Sequence, residues 1–191
     1  MKNIIQAVKA ALHFAAKKDI RYYLNGVALY VQNGNILSVA ATDGHRMCTV
    51  GDHNFNPSDR DIVIVDRMNI PTLLIALEHC TTVEINDFTL NVDQYSIPLI
   101  DGRFPDVRRV LPSEKRTTHI DDGICFLPEY LATIDKARKE LVSHLKSSDR
   151  KKVSVKCRFG DCNESGLFTI NYYGTDGEID DCRITIMPQR L

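Results

Sequence analysis

A repeated order of secondary structure constrains the fold of this chain more than any other feature. An apolar pattern of helical period covers residues 2–17 and is followed by three strand-like segments. One helix and three strands then recur twice more, at intervals of about 60 residues. Successive strands joined by short turns pair antiparallel, and their helices cover one face of the resulting sheet. The sequence therefore predicts an α+β fold built from three similar units.

The individual elements follow from periodicity and turn signals. Strands are predicted at 21–32, 35–42, 46–50, 61–65, 81–86, 88–92, 95–100, 119–126, 152–159, 166–173 and 181–187, with further helices at 68–79 and 128–145. Asn33-Gly34 is a strong hairpin signal between the first two strands. Pro71 suits the first turn of a helix better than its interior.

Charge and hydropathy exclude several classes of protein. The 191 residues carry a formal net charge of -1, which excludes a strongly basic nucleic-acid binder but not a charge segregated onto one face. No apolar run approaches the roughly 20 residues that span a bilayer. Residues 1–16 lack the apolar core of a signal peptide. We therefore expect a cytoplasmic protein that does not enter membranes.

The six cysteines indicate packing more than chemistry. None forms a CxxC pair, and three of them lie in apolar strand-like runs. We expect reduced thiols that pack as small hydrophobic groups. A metal site built from Cys157, Cys162 and a histidine is the alternative, although the spacing gives it no support.

Two predicted helices carry lysines on one side. At about 100° per residue, Lys2, Lys9 and Lys17 fall together on the first helix. On the third helix, Lys136, Lys139 and Lys146 cluster in the same way. Such a stripe is either an ordinary solvated face or a surface that contacts phosphates without reading sequence. The second helix has no comparable stripe.

Four segments resemble one known family in order and at nearly its spacing. They are KDIRYYLNGV (18–27), ATDGHRM (41–47), IDGRFPDVRRVLP (100–112) and IMPQRL (186–191). They resemble the DNA polymerase III beta subunit, the bacterial sliding clamp. The resemblance implies the DNA-clamp fold of repeated βαβββ units, in a shortened form without the first domain and about half of the last. Two units would occupy 1–112, a linker 113–118 and a single unit 119–191.

The resemblance also implies a hydrophobic pocket for short peptide motifs of partner proteins. Carried over residue by residue, the pocket comprises Leu24, Thr42, Gly44, His45, Arg46, Met47, Pro105, Arg109, Val110, Met187, Pro188 and Leu191. Gln189 departs from the family's usual apolar residue and makes the pocket edge more polar. Tyr22 and Tyr23 match an aromatic pair that touches DNA, with ordinary strand tyrosines as the alternative.

The connector 100–112 is expected to form part of the pocket wall. Pro105 and Pro112 restrict its backbone, which suits a wall of fixed shape. We expect Arg109 to face the peptide, and Arg103 and Arg108 to pair with carboxylates. By its residues alone, the segment TDGHR (42–46) predicts a tight turn between strands, in which Gly44 supplies a positive φ. Asp43 and His45 lack the other groups of a catalytic site, so we expect no enzyme, no cofactor and no metal.

Two functions remain open at this stage. In the first, the chain is a DNA polymerase processivity factor that encircles duplex DNA, with four copies supplying the twelve units of a ring. Its partners would be duplex DNA, a DNA polymerase, other proteins with clamp-binding motifs and, as an open point, a clamp loader. In the second, the chain is a clamp mimic that binds those motifs and regulates replication without encircling DNA.

Overall fold

The computed structural model describes residues 3–53, 61–112, 124–159, 164–172 and 179–189. Its helices are α1 (Ile4–Leu12), α2 (Ile70–His79), α3 (Val107–Val110), α4 (Pro128–Leu141) and α5 (Ser147–Arg150). Its strands are β1 (Gly26–Gln32), β2 (Asn35–Thr42), β3 (Arg46–Gly51), β4 (Ile62–Asp66), β5 (Glu84–Asn86), β6 (Thr89–Val92), β7 (Tyr95–Pro98), β8 (Val153–Arg158), β9 (Gly166–Tyr172) and β10 (Cys182–Ile186). Within the described ranges, no helix is long and apolar enough to cross a bilayer.

The strands form two antiparallel sheets. The larger has the order β4-β1-β2-β3-β10-β9-β8, and the smaller has the order β5-β6-β7. At the centre of the larger sheet β10 pairs with β3, with Cys182 opposite Val50 and Ile186 opposite Arg46. The last three strands therefore extend the sheet begun by the first three. The predicted α+β class with antiparallel sheets is confirmed, whereas the proposed linker 113–118 lies outside the described residues.

Side chains of the larger sheet alternate between its two faces, as strand geometry requires. On β1, Val27 and Leu29 are fully buried in the main core beneath the helices. Ala28 and Tyr30 project to the opposite face, where Phe104 covers them in a second, smaller core. The connector that follows β7 thus covers part of the helix-free face. Residues of the connector line both a cleft and a cavity on that face.

The helices cover the other face. On α1 the alanines and valine at positions 7, 8, 10 and 11 are fully buried, and these small side chains let α1 lie close to the sheet and to α4. The chain leaves α1 at Leu12 instead of continuing to residue 17 as predicted. Arg67 explains this end, since its guanidinium donates to the carbonyl oxygens of Leu12 (3.0 Å), Ala15 (2.7 Å) and Ala16 (3.2 Å).

Two other predicted boundaries are also wrong. The strand predicted from residue 21 begins at Gly26, because residues 22–24 form a single 3₁₀ turn. The helix predicted to reach residue 145 ends at Leu141. Beyond it, the Arg150 side chain donates to the carbonyl oxygens of Ser143 (2.7 Å) and Leu145 (2.9 Å). These bonds stabilise a non-helical turn there.

The predicted strand at 119–126 is described only at its end. Residues 119–123 lie outside the described ranges, and Cys125 forms an isolated bridge with Gln189.

The local turn predictions are confirmed. Asn33 and Gly34 both have positive φ (51° and 72°), as this hairpin type requires. Pro71 lies in the first turn of α2.

Two of the cysteines meet where β3 and β10 join. Cys48 and Cys182 are both fully buried, with their sulfur atoms 3.8 Å apart. The contact with the Cys48 thiol, together with burial, raises the pKa of Cys182 well above its usual value. These two residues match the expectation of reduced thiols that pack as apolar groups.

A histidine links the two strands near the same junction. The ring of His53, which follows β3, lies 3.4 Å from the Thr49 hydroxyl and 3.3 Å from the carbonyl oxygen of Asp181, next to β10. Burial lowers the pKa of His53 below the ordinary 6.5. The Asp181 carboxylate, 3.4 Å away, raises the pKa of His53, but burial has the larger effect. The positive charge of Arg183 lowers this pKa further. The folded protein therefore prefers the neutral imidazole.

This preference predicts a pH-dependent stability. As the pH falls below about 6.5, the unfolded chain takes up the proton before the folded chain does, so the free energy of unfolding decreases. Above that pH the contribution of His53 is fully present. Urea unfolding between pH 5 and pH 8 should show this decrease in the wild type and a smaller one in His53→Gln. Equal pH dependence in the two proteins would contradict the assignment.

Candidate functional site

The strongest candidate site is a cleft on the helix-free face, at the β3–β10 junction. Its volume is about 210 Å³ including the open mouth, which is below the range typical of small-molecule pockets. Three separate segments form it, namely the turn between β2 and β3, the one-turn helix α3 and the end of β10. Its lining residues are Thr42, Gly44, His45, Arg46, Met47, Val110, Thr185 and Met187. Seven of these eight belong to the predicted pocket.

The turn between β2 and β3 is held rigid by its own side chains. The Thr42 hydroxyl accepts from the N–H of Gly44 (3.0 Å) and donates to the carbonyl oxygen of Arg46 (2.8 Å). The Asp43 carboxylate accepts from the N–H groups of His45 and Arg46, each at 3.0 Å. Gly44 has φ 93°, which confirms the predicted positive value. This wall of the cleft is therefore preorganised.

Arg46 fixes the turn to the helix layer. Its Nε donates to Asp43 Oδ2 at 2.8 Å, and its Nη1 donates to the Thr133 hydroxyl of α4. The guanidinium also lies over the ring of Tyr130, 4.8 Å from its centroid. Since Arg46 alternates with Met47 along β3, its charged group lies on the helix side while Met47 floors the cleft. Arg46 positions the cleft wall instead of presenting its charge to a ligand.

The cleft offers apolar surface at its rim. Val110 is 39% exposed and Met187 is 51% exposed, whereas Met47 is buried. The N–H of Met187 donates to the carbonyl oxygen of His45 at 2.9 Å, which ties the end of β10 to the turn. Two half-exposed apolar side chains above a buried methionine suit the capture of one or two apolar side chains.

Thr185 is a lining residue that the sequence analysis missed. It is only 2% exposed, and its hydroxyl has no hydrogen-bond partner. Such an atom is costly unless something in the cleft satisfies it. Alternation along β10 could have found it, because residues two apart on a strand share a face and Met187 was already assigned to the pocket.

Several predicted pocket residues lie outside the lining. Leu24 is buried at 2% exposure, and Pro105 and Pro188 are partly buried elsewhere. The Arg109 side chain is 87% exposed, with its Nε 3.6 Å from Asp106 Oδ2. Leu191 lies outside the described residues. The structure thus groups seven of the twelve predicted residues in the cleft, and Leu24, Pro105, Arg109 and Pro188 lie outside its lining.

Two arginines of the connector, Arg108 and Arg109, share one carboxylate. Arg108 donates to Asp106 Oδ1 at 3.0 Å, which confirms the expected pairing. These bonds, with the Arg109 charge, hold the pKa of Asp106 below its usual value. Asp106 also accepts from the N–H of Arg108 and so caps the N-terminus of α3. One side chain therefore fixes the short helix that presents Val110.

The residues predicted to contact DNA lie in two places. Tyr22 and Tyr23 form an edge-to-face pair with centroids 6.0 Å apart, and Tyr22 is 57% exposed. Gly102 of the connector packs against this pair, where an added Cβ would lie 2.9 Å from Tyr23 Cβ. The tyrosines therefore support the connector as well as offering an exposed ring.

The lysines only partly share a surface. Lys17, Lys18 and Lys136 line one open groove beside α1 and α4. Lys139 is 69% exposed but pairs with Asp135 at 2.8 Å, and Lys9 is partly exposed on α1. Because α4 ends early, Lys146 lies at the start of α5 and not on the predicted α4 stripe. Lys2 lies outside the described residues.

The architecture identifies the class of protein first. Units of one helix and three strands, with the first and third units sharing one antiparallel sheet whose helices lie on one face, constitute the DNA-clamp fold. The solved sliding clamp of Pseudomonas aeruginosa superposes with a TM-score of 0.65 at 20% identity, covering 98% of this chain and 64% of that chain. This likeness establishes the fold.

Sequence comparison then gives the family. The model for the DNA polymerase III beta subunit, central domain, matches residues 1–106, and the chain belongs to this family. The beta sliding clamp of Pseudomonas aeruginosa is 39% identical over 111 residues, which are 51% of this chain and 28% of that protein. The beta sliding clamp of Escherichia coli K12 is 36% identical over 141 residues, which are 69% of this chain and 37% of that protein. The chain thus matches well under half of the length of these relatives.

The contacts of Arg46 predict its effect on stability. Arg46→Met removes a part-buried charge from Asp43 and Thr133 and should lower the free energy of unfolding by about 2–4 kcal/mol. Arg109→Met is the matched control, because its side chain is mostly exposed, and should change stability by less than about 0.5 kcal/mol. Chemical denaturation measures both. Equal effects would contradict the structural role of Arg46.

Proposed function

We propose that this chain is a sliding-clamp processivity factor. It binds short apolar motifs of a DNA polymerase and other replication proteins in the cleft, and it encloses duplex DNA with its helix-bearing face. The observation that carries the proposal is the convergence of seven predicted pocket residues from three distant segments on one cleft. Membership of the beta subunit family supports it.

The cleft is suited to an extended peptide with one or two apolar anchors. Its small volume accommodates side chains and not a whole drug-sized ligand. The rigid turn at 42–47 and the capped helix α3 hold its walls before binding, which lowers the entropic cost of association. Gln189 is exposed just beyond β10, and the polar edge expected of it stays a prediction, since it is not among the residues that line the cleft.

Removing the exposed apolar rim should weaken peptide binding. The double variant Val110→Ser/Met187→Ser loses two half-exposed apolar contacts and should bind a labelled peptide bearing leucine and phenylalanine roughly tenfold or more weakly. Fluorescence anisotropy gives the dissociation constants. A peptide with serine at both apolar positions controls for binding by its backbone alone.

The matched protein control is Met68→Ser. Met68 is 81% exposed and follows β4, so this change removes a surface methionine outside the cleft. It should leave peptide affinity unchanged. A wild-type protein that fails to bind the peptide, or equal losses in both serine variants, would sink the proposed cleft function.

DNA enclosure is proposed from the helix face. Lys17, Lys18 and Lys136 line one groove there, and ammonium groups on rigid elements neutralise phosphates without sequence preference. The contact between lysines and phosphates must be weak to permit sliding. The ion pair of Lys139 with Asp135 reduces the positive charge of the helix face. Topology, and not tight affinity, would then hold the protein on DNA.

A closed assembly of four copies is the corresponding expectation. Light scattering after size-exclusion chromatography should give a stable mass near four times 21.6 kDa, and this species should remain on nicked circular DNA. Lys9→Glu/Lys136→Glu should assemble equally but leave the circle sooner, because phosphate contacts are lost. Lys156→Glu is the control. Lys156 is exposed on β8 and alternates with Val153 and Val155, which pack into the core on the helix side.

The outcomes separate the two proposed functions. A monomer or dimer at every concentration would exclude the tetrameric ring. If that species still bound the peptide, the clamp mimic would replace the processivity factor. A tetramer that leaves linear and circular DNA at the same rate would also contradict enclosure, because only a closed ring distinguishes the two forms.

A further inference from the structure

A second cavity lies on the helix-free face, between the larger sheet and the connector. Its empty volume is about 710 Å³ including the open mouth, more than three times that of the peptide cleft. Tyr30, Ser38 and Thr49 line it from β1, β2 and β3. Phe104 and Val107 line it from the connector. No residue of the cavity belongs to the predicted pocket, so the proposed peptide function leaves this space unexplained.

Tyr30 presents an unsatisfied polar group at the cavity. The residue is only 5% exposed, and its hydroxyl has no hydrogen-bond partner. Burial, with the nearby Asp106 carboxylate, raises the pKa of Tyr30 far above its usual value, so the hydroxyl stays protonated. The Thr49 hydroxyl and the His53 ring, by contrast, already contact each other and the backbone near β10. Among the described residues that line the cavity, Tyr30 carries a fully buried hydroxyl without a partner, which is left for a ligand.

The lining also defines the chemistry of that ligand. Small side chains, including Ala40 and Ser38, line the cavity from the sheet, and Phe104 lines it from the connector and packs in the second core with Ala40. Both carboxylates and guanidinium groups lie at the cavity, and the Asp106–Arg108 pair is mutually neutralised at 3.0 Å. A cavity lined by small sheet residues and by the ring of Phe104, without an excess of either charge, suits a flat uncharged ring with one polar edge.

The cavity and the peptide cleft share a wall. In α3, Val107 and Arg108 line the cavity, whereas Val110 lines the cleft. Asp106, which caps α3, also lines the cavity. A ligand in the cavity therefore touches the one-turn helix that presents an apolar contact to the peptide. Four residues are too short to hold a helix by themselves, so neighbouring contacts decide how firmly α3 is placed.

We propose that this cavity is a binding site for a small uncharged aromatic ring bearing a hydroxyl or similar polar group. The polar group exchanges a hydrogen bond with the Tyr30 hydroxyl, and the ring lies against Phe104 and the sheet. Occupancy fixes α3 and so strengthens peptide binding in the cleft. This second effect rests on the proposed peptide function, whereas binding of the ring does not.

The test compares phenol with toluene, two probes of similar shape that differ in the hydroxyl group. In ¹H–¹⁵N NMR titrations of the full chain, phenol should shift the backbone resonances of Tyr30, Phe104 and Val107 and bind roughly three- to tenfold more tightly than toluene. In Tyr30→Phe, which keeps the ring and removes the hydroxyl, this preference should disappear while toluene binding is retained. Tyr95→Phe, on the smaller sheet, is the matched control and should keep the preference.

Two results would overturn the site. If neither probe shifts the cavity resonances, the space holds only water. If Tyr30→Phe keeps the preference for phenol, the hydroxyl is not the contact. The coupling is measured separately, as the affinity of the labelled peptide with and without saturating phenol. An unchanged affinity in a protein that binds both molecules would refute the coupling alone, and failure to bind the peptide would refute the cleft function alone.

Discussion

The pairing of β3 with β10 is the interaction on which the rest of the structure depends. It joins strands from opposite ends of the chain into one sheet. The proposed peptide cleft exists only because this pairing places Thr185 and Met187 beside the turn at 42–47. On the other face, it brings α4 within reach of Arg46, whose guanidinium connects the turn to the helix layer. The buried contact of Cys48 with Cys182 completes the junction without a covalent bond.

Alternation along the strands then distributes the functions between the faces. Residues that point towards the helices make the main core, and their neighbours in sequence face the connector. Both the peptide cleft and the Tyr30 cavity lie on the connector side, whereas the groove lined by lysines lies on the helix side. The proposed function requires these surfaces to be apart, because DNA and a partner peptide would be bound at once. One sheet with two differently covered faces provides that separation.

The sequence predicted local structure well and long-range arrangement poorly. Hairpin residues such as Asn33 and Gly34 act within a few positions, so their conformations could be predicted. The end of α4 could not, because it depends on the side chain of Arg150 and not on the helix itself.

The site shows the same limit. The resemblance found seven lining residues, but it treated Arg46 as part of the peptide surface although alternation places its charge among the helices. Thr185 and the Tyr30 cavity were missed. The hydroxyl groups of Thr185 and Tyr30 have no hydrogen-bond partner among the described residues. A missing partner can be recognised only from the positions of the neighbouring groups, which the sequence alone does not give.

The central junction has a consequence for how the protein forms. Cys48 and Cys182 touch across 134 residues of sequence, so this contact closes a loop that includes most of the 191-residue chain. Contacts of such separation form late and slowly, because loop closure must precede any gain from pairing. During synthesis β3 is therefore an unpaired edge until β10 has left the ribosome. An unpaired edge can join another strand, which makes newly made chains prone to pair with one another before each completes its own sheet.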